Sequence, residues 1–324
     1  MREDERVTTD RVFGQMPDGR DVRLLTVGAA PGPVVEVLTL GATVHRLLVD
    51  GRNVVLGNPD VASRLASGDY VGGTIGRYTN RIAGGRFPVG DRTVSVPTND
   101  RGNNLHGGPA GFDVRLWEVE SHTADTLVLS LVSPDGDQGF PGTVSVSVTY
   151  AVSGDVVSVT MSATTDAATV VGLTNHAYFH LDGSGTIDGH LLAVEADLHT
   201  PVDETGIPRG EHEPVAGTPF DLRSPSPLRG SFDHNFVVRG SGLRRAASLS
   251  SPLSRATLEV WSDQPGLQVY TGDQLAAPHR PRSGVALEPQ LFPDSPNRPE
   301  WPSPVLEPGE TYRSVIEWRF GSTP

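Results

Sequence analysis

Apolar and polar residues alternate with a period of two along most of the chain, a pattern that predicts strands joined by turns. It is clearest over residues 143–162, where Val144, Val146, Val148, Tyr150 and Val152 are spaced by Ser145, Ser147 and Thr149. After Ser153-Gly154-Asp155 the pattern resumes through Val157, Val159 and Met161, which describes a β-hairpin with one buried face. Residues 22–27, 34–40 and 42–49 read as three further strands; Pro31-Gly32 separates the first two, and Gly41 marks either a turn or a bulge. A helix start is predicted only at Asn58-Pro59, where Asn caps and Pro suits the first turn, and Gly68 keeps it short. Pro308-Gly309 turns into a last strand with Tyr312, Ser314, Ile316, Trp318 and Phe320 on its inner face. The 37 glycines and 27 prolines fall between such runs as punctuation. With no repeat or linker to divide it, the chain reads as one all-β domain over residues 1–324.

Three of these runs place polar groups on one face. Read as a strand, residues 174–181 put Leu173, Ala177, Phe179 and Leu181 on one side, with Asn175 as a polar exception, and Thr174, His176, Tyr178 and His180 on the other. Gln268 and Tyr270 oppose Leu267 and Val269, and Glu288 and Gln290 oppose Val285 and Leu287. A solvated outer face would look the same; two imidazoles and a phenol in a row suggest instead the floor of a polar cleft. The glycine-flanked loops 76–87 and 103–108 add Asn80, Arg81 and His106, and Asp233 sits between aromatic residues at 231–236, where an Asx turn is the plainer reading.

Composition narrows the partners. The formal net charge is -13 with no cluster of Lys and Arg, which argues against nucleic acid. Cysteine is absent, so disulfides, thiolate catalysis and Cys-ligated metals are excluded. The charged residues 1–6 lead into no apolar segment and no run is long enough to span a bilayer, so a cytoplasmic protein without membrane contact is expected.

The remaining inventory is Asn80, Arg81, His106, His176, Tyr178, Asp233, Gln268 and Glu288, donors and acceptors suited to a molecule rich in hydroxyls. His and Glu, with ordinary pKa values of about 6.5 and 4.3, would leave one partly protonated and the other ionised near neutrality, as proton transfer requires. His176 and His180 are four apart, but on a strand that is roughly 13 Å, too far for two ligands of one zinc. No metal is expected, and no phosphate-binding loop, dinucleotide fingerprint or nucleophile elbow is present.

The motifs Gly76-Arg77-Tyr78-Thr79-Asn80-Arg81-Ile82, Asn104-Leu105-His106-Gly107-Gly108, Gln138-Gly139-Phe140-Pro141-Gly142, Thr174-Asn175-His176-Ala177-Tyr178-Phe179, Phe232-Asp233-His234-Asn235-Phe236, Pro265-Gly266-Leu267-Gln268-Val269-Tyr270-Thr271-Gly272 and Leu287-Glu288-Pro289-Gln290 follow one another in the order of the aldose 1-epimerase (galactose mutarotase) family, which the chain resembles from near its N-terminus to its end. The resemblance implies a large antiparallel β-sandwich, the galactose mutarotase-like supersandwich, with a monosaccharide on its concave face. It implies Glu288 as the base that takes the proton of the anomeric hydroxyl and His176 as the acid that protonates the ring oxygen, with no cofactor. It also implies that Asn80, Arg81, His106, Tyr178, Asp233 and Gln268 hold the sugar. His180 departs from the family, which usually has Asn there.

Three other readings stay open on sequence. A glycoside hydrolase would use Asp233 and Glu288 as its carboxylates. A hexose-6-phosphate 1-epimerase would need a cationic pocket, for which Arg77 and Arg86 are the nearby candidates. A non-catalytic sugar-binding protein would need no acid and base pair. The preferred aldose and the oligomeric state are not set by any of these residues.

Overall fold

The computed structural model describes residues 8–323, so the charged residues 1–6 lie outside the described residues. Its largest sheet has nine antiparallel strands, with the hairpin Val144–Ser153 and Val156–Thr165 near the middle and the long strand Tyr312–Ser322 beside it. Val144, Val146, Val148, Tyr150, Val157, Val159 and Met161 are all buried, as their alternation requires. In the last strand Ser314, Ile316 and Trp318 are buried, with Tyr312 and Phe320 partly so. A second sheet of five strands is a simple meander from Asp10–Gln15 to Arg52–Asn53. Gly41, at φ 71°, and Ala42, at φ 43°, make the turn between its strands Val34–Leu38 and Thr43–Val49.

The third sheet has six strands in the order Tyr178–Phe179, Val285–Gln290, Gly266–Tyr270, Asp233–Val238, Ala196–Thr200 and Glu213–Pro214. Its apolar face carries Phe179, Val285, Leu287, Leu267, Val269 and Phe236 into a core that also holds residues of the other two sheets. Phe179 meets Trp318 of the nine-stranded sheet edge to face, with ring centroids 5.4 Å apart. Full burial of such side chains stabilises by about 1.5–3 kcal/mol each, and it fixes which face of the third sheet points away from the core. A slip of one residue would bury Glu288 and Gln268 in hydrocarbon, so the register is tightly specified.

Two local expectations need correction. The helix is Val61–Ala66 and its cap is Asp60, not Asn58: the Asp60 carboxylate accepts the Ser63 N–H at 2.7 Å in a reciprocal capping box. The run 174–181 is not one strand. Thr174–Asn175 pairs with Thr74–Ile75, Tyr178–Phe179 pairs with Val285–Ala286 of the six-stranded sheet, and His176-Ala177 is the step between them. Asn175 makes that step: its side chain accepts from Ala177 N–H at 3.1 Å and donates to Gly72 O at 3.0 Å and Tyr150 Oη at 3.2 Å. The polar exception on the apolar face is therefore a fully bonded buried amide.

Candidate active site

Register in the six-stranded sheet gathers half of the site. Gln268 is opposite Glu288, Asp233 is opposite Tyr270, and Tyr178 is opposite Ala286. Since side chains alternate, Tyr178, Glu288, Gln268, Tyr270 and Asp233 all rise from the face that the core does not use. Gln268 Nε2 donates to Asp233 Oδ1 at 2.7 Å. Asp233 thus begins a strand and is held by its neighbour, rather than closing an Asx turn on itself.

The other half comes from two loops. Arg81 and Ile82 pair with Asn104 and Leu105, and this ladder sets Asn80 beside His106. Both adopt left-handed backbone, Asn80 at φ 65° and His106 at φ 54°, a conformation that costs on the order of 1 kcal/mol or more for a non-glycine residue and clusters at functional sites. His106 Nδ1 accepts the Asn80 N–H at 3.1 Å, which puts the ring proton on Nε2. Gly107 has to be glycine, because a Cβ there would sit 2.1 Å from Gly76 O. Arg81 is buried, gives its Nε–H to Asp100 Oδ2 at 2.8 Å, and has a terminal nitrogen 3.9 Å from Asp233 Oδ2.

Asn80, Arg81, His106, His176, Tyr178, Asp233, Gln268 and Glu288 all line one cavity of ≈ 430 Å³. Depressions of ≈ 460 Å³ at the 29–32 and 152–155 turns and of ≈ 590 Å³ near residues 303–313 are not lined by any histidine. Sequence reasoning missed Tyr70, which presents its edge to His106 with ring centroids 4.5 Å apart and stacks on His176 at 5.8 Å. It also missed Asp100, the partner of Arg81, and Arg101 at the rim. Tyr70 lies in a short loop with a left-handed φ of 56°, where no periodicity could have signalled it.

His180 is absent from the cavity: the strand that carries Tyr178 ends at Phe179, and the His180 ring packs against His190 at 4.8 Å. Neither phosphate candidate reaches it. The buried Arg77 guanidinium is taken up by Ser133 O, Pro134 O, Pro141 O and Ser133 Oγ at 2.7–2.8 Å, and Arg86 is exposed on the outside.

At the floor, His176 Nε2 lies 3.5 Å from Glu288 Oε1, with both side chains almost fully buried. Burial disfavours both charged forms. It pushes the His176 imidazole down to about 3 and the Glu288 carboxyl well above its ordinary value; the Asp233 charge adds to the latter and Arg81 opposes it. Both shifts work against a protonated His176 beside an ionised Glu288, the state that ordinary pKa values suggest. Burial likewise keeps His106 neutral, and it holds the Tyr178 hydroxyl well above its ordinary value. Glu288 Oε2 and Gln268 Oε1 are buried with no hydrogen-bond partner among the described residues, an arrangement that a ligand's hydroxyls would complete. His106, His176 and Glu288 also bring one ligand atom each within 4.8 Å of one another, close enough to grip a divalent ion.

Comparison with known proteins agrees with this geometry. The aldose 1-epimerase family profile matches residues 23–319. Aldose 1-epimerase of Escherichia coli is 38% identical, over 94% of this chain and 96% of its own, and human galactose mutarotase is 38% identical over 96% and 98%. The crystal structure of an aldose epimerase homologue from C. elegans superposes with a TM-score of 0.90 at 28% identity, covering 94% of this chain and all of that one. Galactose 1-epimerase from Lactobacillus acidophilus gives 0.87 at 27%, covering 98% and 99%. The chain therefore belongs to the aldose 1-epimerase family and is by class an isomerase acting at C1 of an aldose.

Proposed function

We propose that the protein interconverts the α and β anomers of a free hexose by opening and reclosing the ring, with Glu288 as general base and His176 as general acid. The observation that carries this is the 3.5 Å His176–Glu288 pair at the floor of a cavity otherwise lined by hydroxyl-binding groups. Glu288 accepts the proton of the C1 hydroxyl while His176 donates one to the ring oxygen; the C1–O5 bond breaks and the aldehyde forms. Rotation about C1–C2 and the reverse transfers give the other anomer, with the proton count unchanged. A Glu288 carboxylate beside a His176 imidazolium is the reactive pair, and sugar hydroxyls bonded to the Glu288 oxygens favour it by stabilising the carboxylate. Asn80, Arg81, His106, Tyr178, Asp233 and Gln268 hold the ring.

A hydrolase would need Asp233 free to act as the second carboxylate beside Glu288, and Asp233 instead accepts from Gln268 Nε2 at 2.7 Å. Glu288→Gln tests the proposal. It keeps the shape but loses the proton acceptor, so polarimetry with fresh glucose or galactose anomers should show kcat reduced by on the order of 10²–10⁴ with sugar affinity little changed. Equal rates for the variant and wild type would remove Glu288 from the reaction.

A further inference from the structure

Outside the reacting cavity lies a second group of metal-ligating side chains: His180, Asp182 and His190 each offer one ligand atom within 4.8 Å of the other two. They are brought together by three segments. His180 follows the strand Tyr178–Phe179, and its carbonyl accepts the Gly183 N–H at 3.0 Å in a tight turn that carries Asp182. His190 ends the short 3₁₀ helix Ile187–Gly189. Ser251 Oγ and Ser254 N–H, from the turn between two strands of the nine-stranded sheet, donate to Asp182 Oδ1 at 2.6 and 3.2 Å. That leaves Oδ2 facing the histidines, 3.9 Å from His190 Nε2.

His180 points to a ligand. Its side chain is buried, at 2% exposure, yet neither ring nitrogen has a hydrogen-bond partner among the described residues. An imidazole buried in this way wastes a strong donor and a strong acceptor, which native proteins rarely tolerate. Two imidazoles and one carboxylate are the donor set of a borderline first-row ion, not of magnesium or calcium, which prefer oxygen alone.

We propose that His180, His190 and Asp182 form a site for a single divalent transition-metal ion of the zinc type, with water completing its coordination. Bonds of about 2.0–2.1 Å at tetrahedral angles place ligand atoms about 3.3 Å apart, so the side chains draw together by roughly 1 Å when the ion enters. The Leu181 N–H donates to His190 Nε2 at 2.9 Å, a bond that ligation through that nitrogen replaces. The ion ties the 180–190 turn to the 251–254 turn and takes no part in the reaction.

The trio His106, His176 and Glu288 is a competing site, so the experiment separates the two. Untagged protein stripped with EDTA is titrated with Co²⁺, read by its visible absorption, and with Zn²⁺ in competition. Wild type and Glu288→Gln should each take up one ion with similar affinity, and His180→Asn and Asp182→Asn should bind at least about 100-fold more weakly, since loss of even an outer-shell group costs 10–100-fold. Stripping should lower the melting temperature of wild type without changing its mutarotation rate. His180→Asn should keep that rate, which also shows that it folds; should it not fold, Asp182→Asn decides the matter. No saturable uptake by wild type, or uptake that survives both His180→Asn and Asp182→Asn, overturns the proposal. So does uptake that Glu288→Gln abolishes, because the ion then sits in the reacting cavity.

Discussion

His176 Nε2 and Glu288 Oε1 stand 3.5 Å apart with both side chains at 5% exposure or less. Loss of solvation pushes His176 down to about 3, and the Arg64 charge acts in the same direction. The neutral pair and the ion pair contain the same single proton, so both are one protonation state seen from outside.

The pH profile follows from that count. Acid adds a second proton to the pair at His176, whose pKa is depressed to about 3, and base removes the single proton from Glu288, whose pKa is raised. A plot of kcat/KM, which reports the free enzyme, should have its acid limb near 3 and its alkaline limb displaced upward from the ordinary carboxyl range, and show no His176 limb near the ordinary histidine value of about 6.5. A limb there that disappears in His176→Asn would show that the imidazole titrates as if solvated.

Stability should respond to the same burial. A carboxyl whose folded pKa is raised gives up stability as the pH climbs from its unfolded value of about 4.3 through the folded one, because only the unfolded chain gains by ionising. Glu288→Gln removes that penalty. The variant should melt higher than wild type at pH 7–8, by about 2–4 °C for each kcal/mol relieved, and the gap should close toward pH 4. An unchanged gap across this range would mean that Glu288 is already ionised in the folded state.

The cavity's charge bears on substrate choice. Asp69, Asp100 and Asp233 line it against Arg81 and Arg101, and both arginines are bonded to Asp100. A phosphate dianion would meet more carboxylates than free guanidinium groups. Free hexose should therefore exceed its 6-phosphate by at least tenfold in kcat/KM, measured by polarimetry on matched anomers; the reverse order would point to the hexose-6-phosphate reaction.

What the sequence made legible was whatever depends on period two. Glu288, Gln268 and Tyr178 were found because each alternates with residues that must face a core, and the sheet then places them side by side. His180 was misassigned to the cleft for the same reason: alternation assumes that the strand continues, and this one ends at Phe179. Arg77 and Arg81 look alike in a glycine-flanked loop, yet one is consumed by three carbonyls and a hydroxyl while the other faces the cavity. The pKa inversion was hidden because burial belongs to the packed molecule, not to any segment. Asp60 displaced Asn58 as the helix cap because Ser63 stands three residues after it and completes the reciprocal box.

Arg81 is held from three sides, which makes its geometry testable apart from its charge. Asp100 takes its Nε–H at 2.8 Å, Asp233 lies 3.9 Å from a terminal nitrogen, and the backbone at Gly206 packs so closely that a Cβ there would come within 2.9 Å of the guanidinium. The Gly206 turn is itself tied down, since Asp203 Oδ1 accepts from Thr205 N–H and Ile207 N–H at 2.8 and 3.1 Å and Arg101 donates to Glu204 O at 3.0 Å. A lysine keeps the charge but not the planar fork that bonds Asp100 while leaving other donors for a sugar. Arg81→Ala, Asp233→Ala and Arg81→Lys should each raise KM strongly, with kcat/KM falling by on the order of 10²-fold as the sugar loses its alignment. Gly206→Ala touches no substrate, but its φ of 83° and the crowding at Arg81 should displace the guanidinium and raise KM in the same direction by a smaller factor. Initial mutarotation rates across sugar concentration measure all four, and wild-type kcat/KM in Arg81→Lys would show that a point charge suffices at this position.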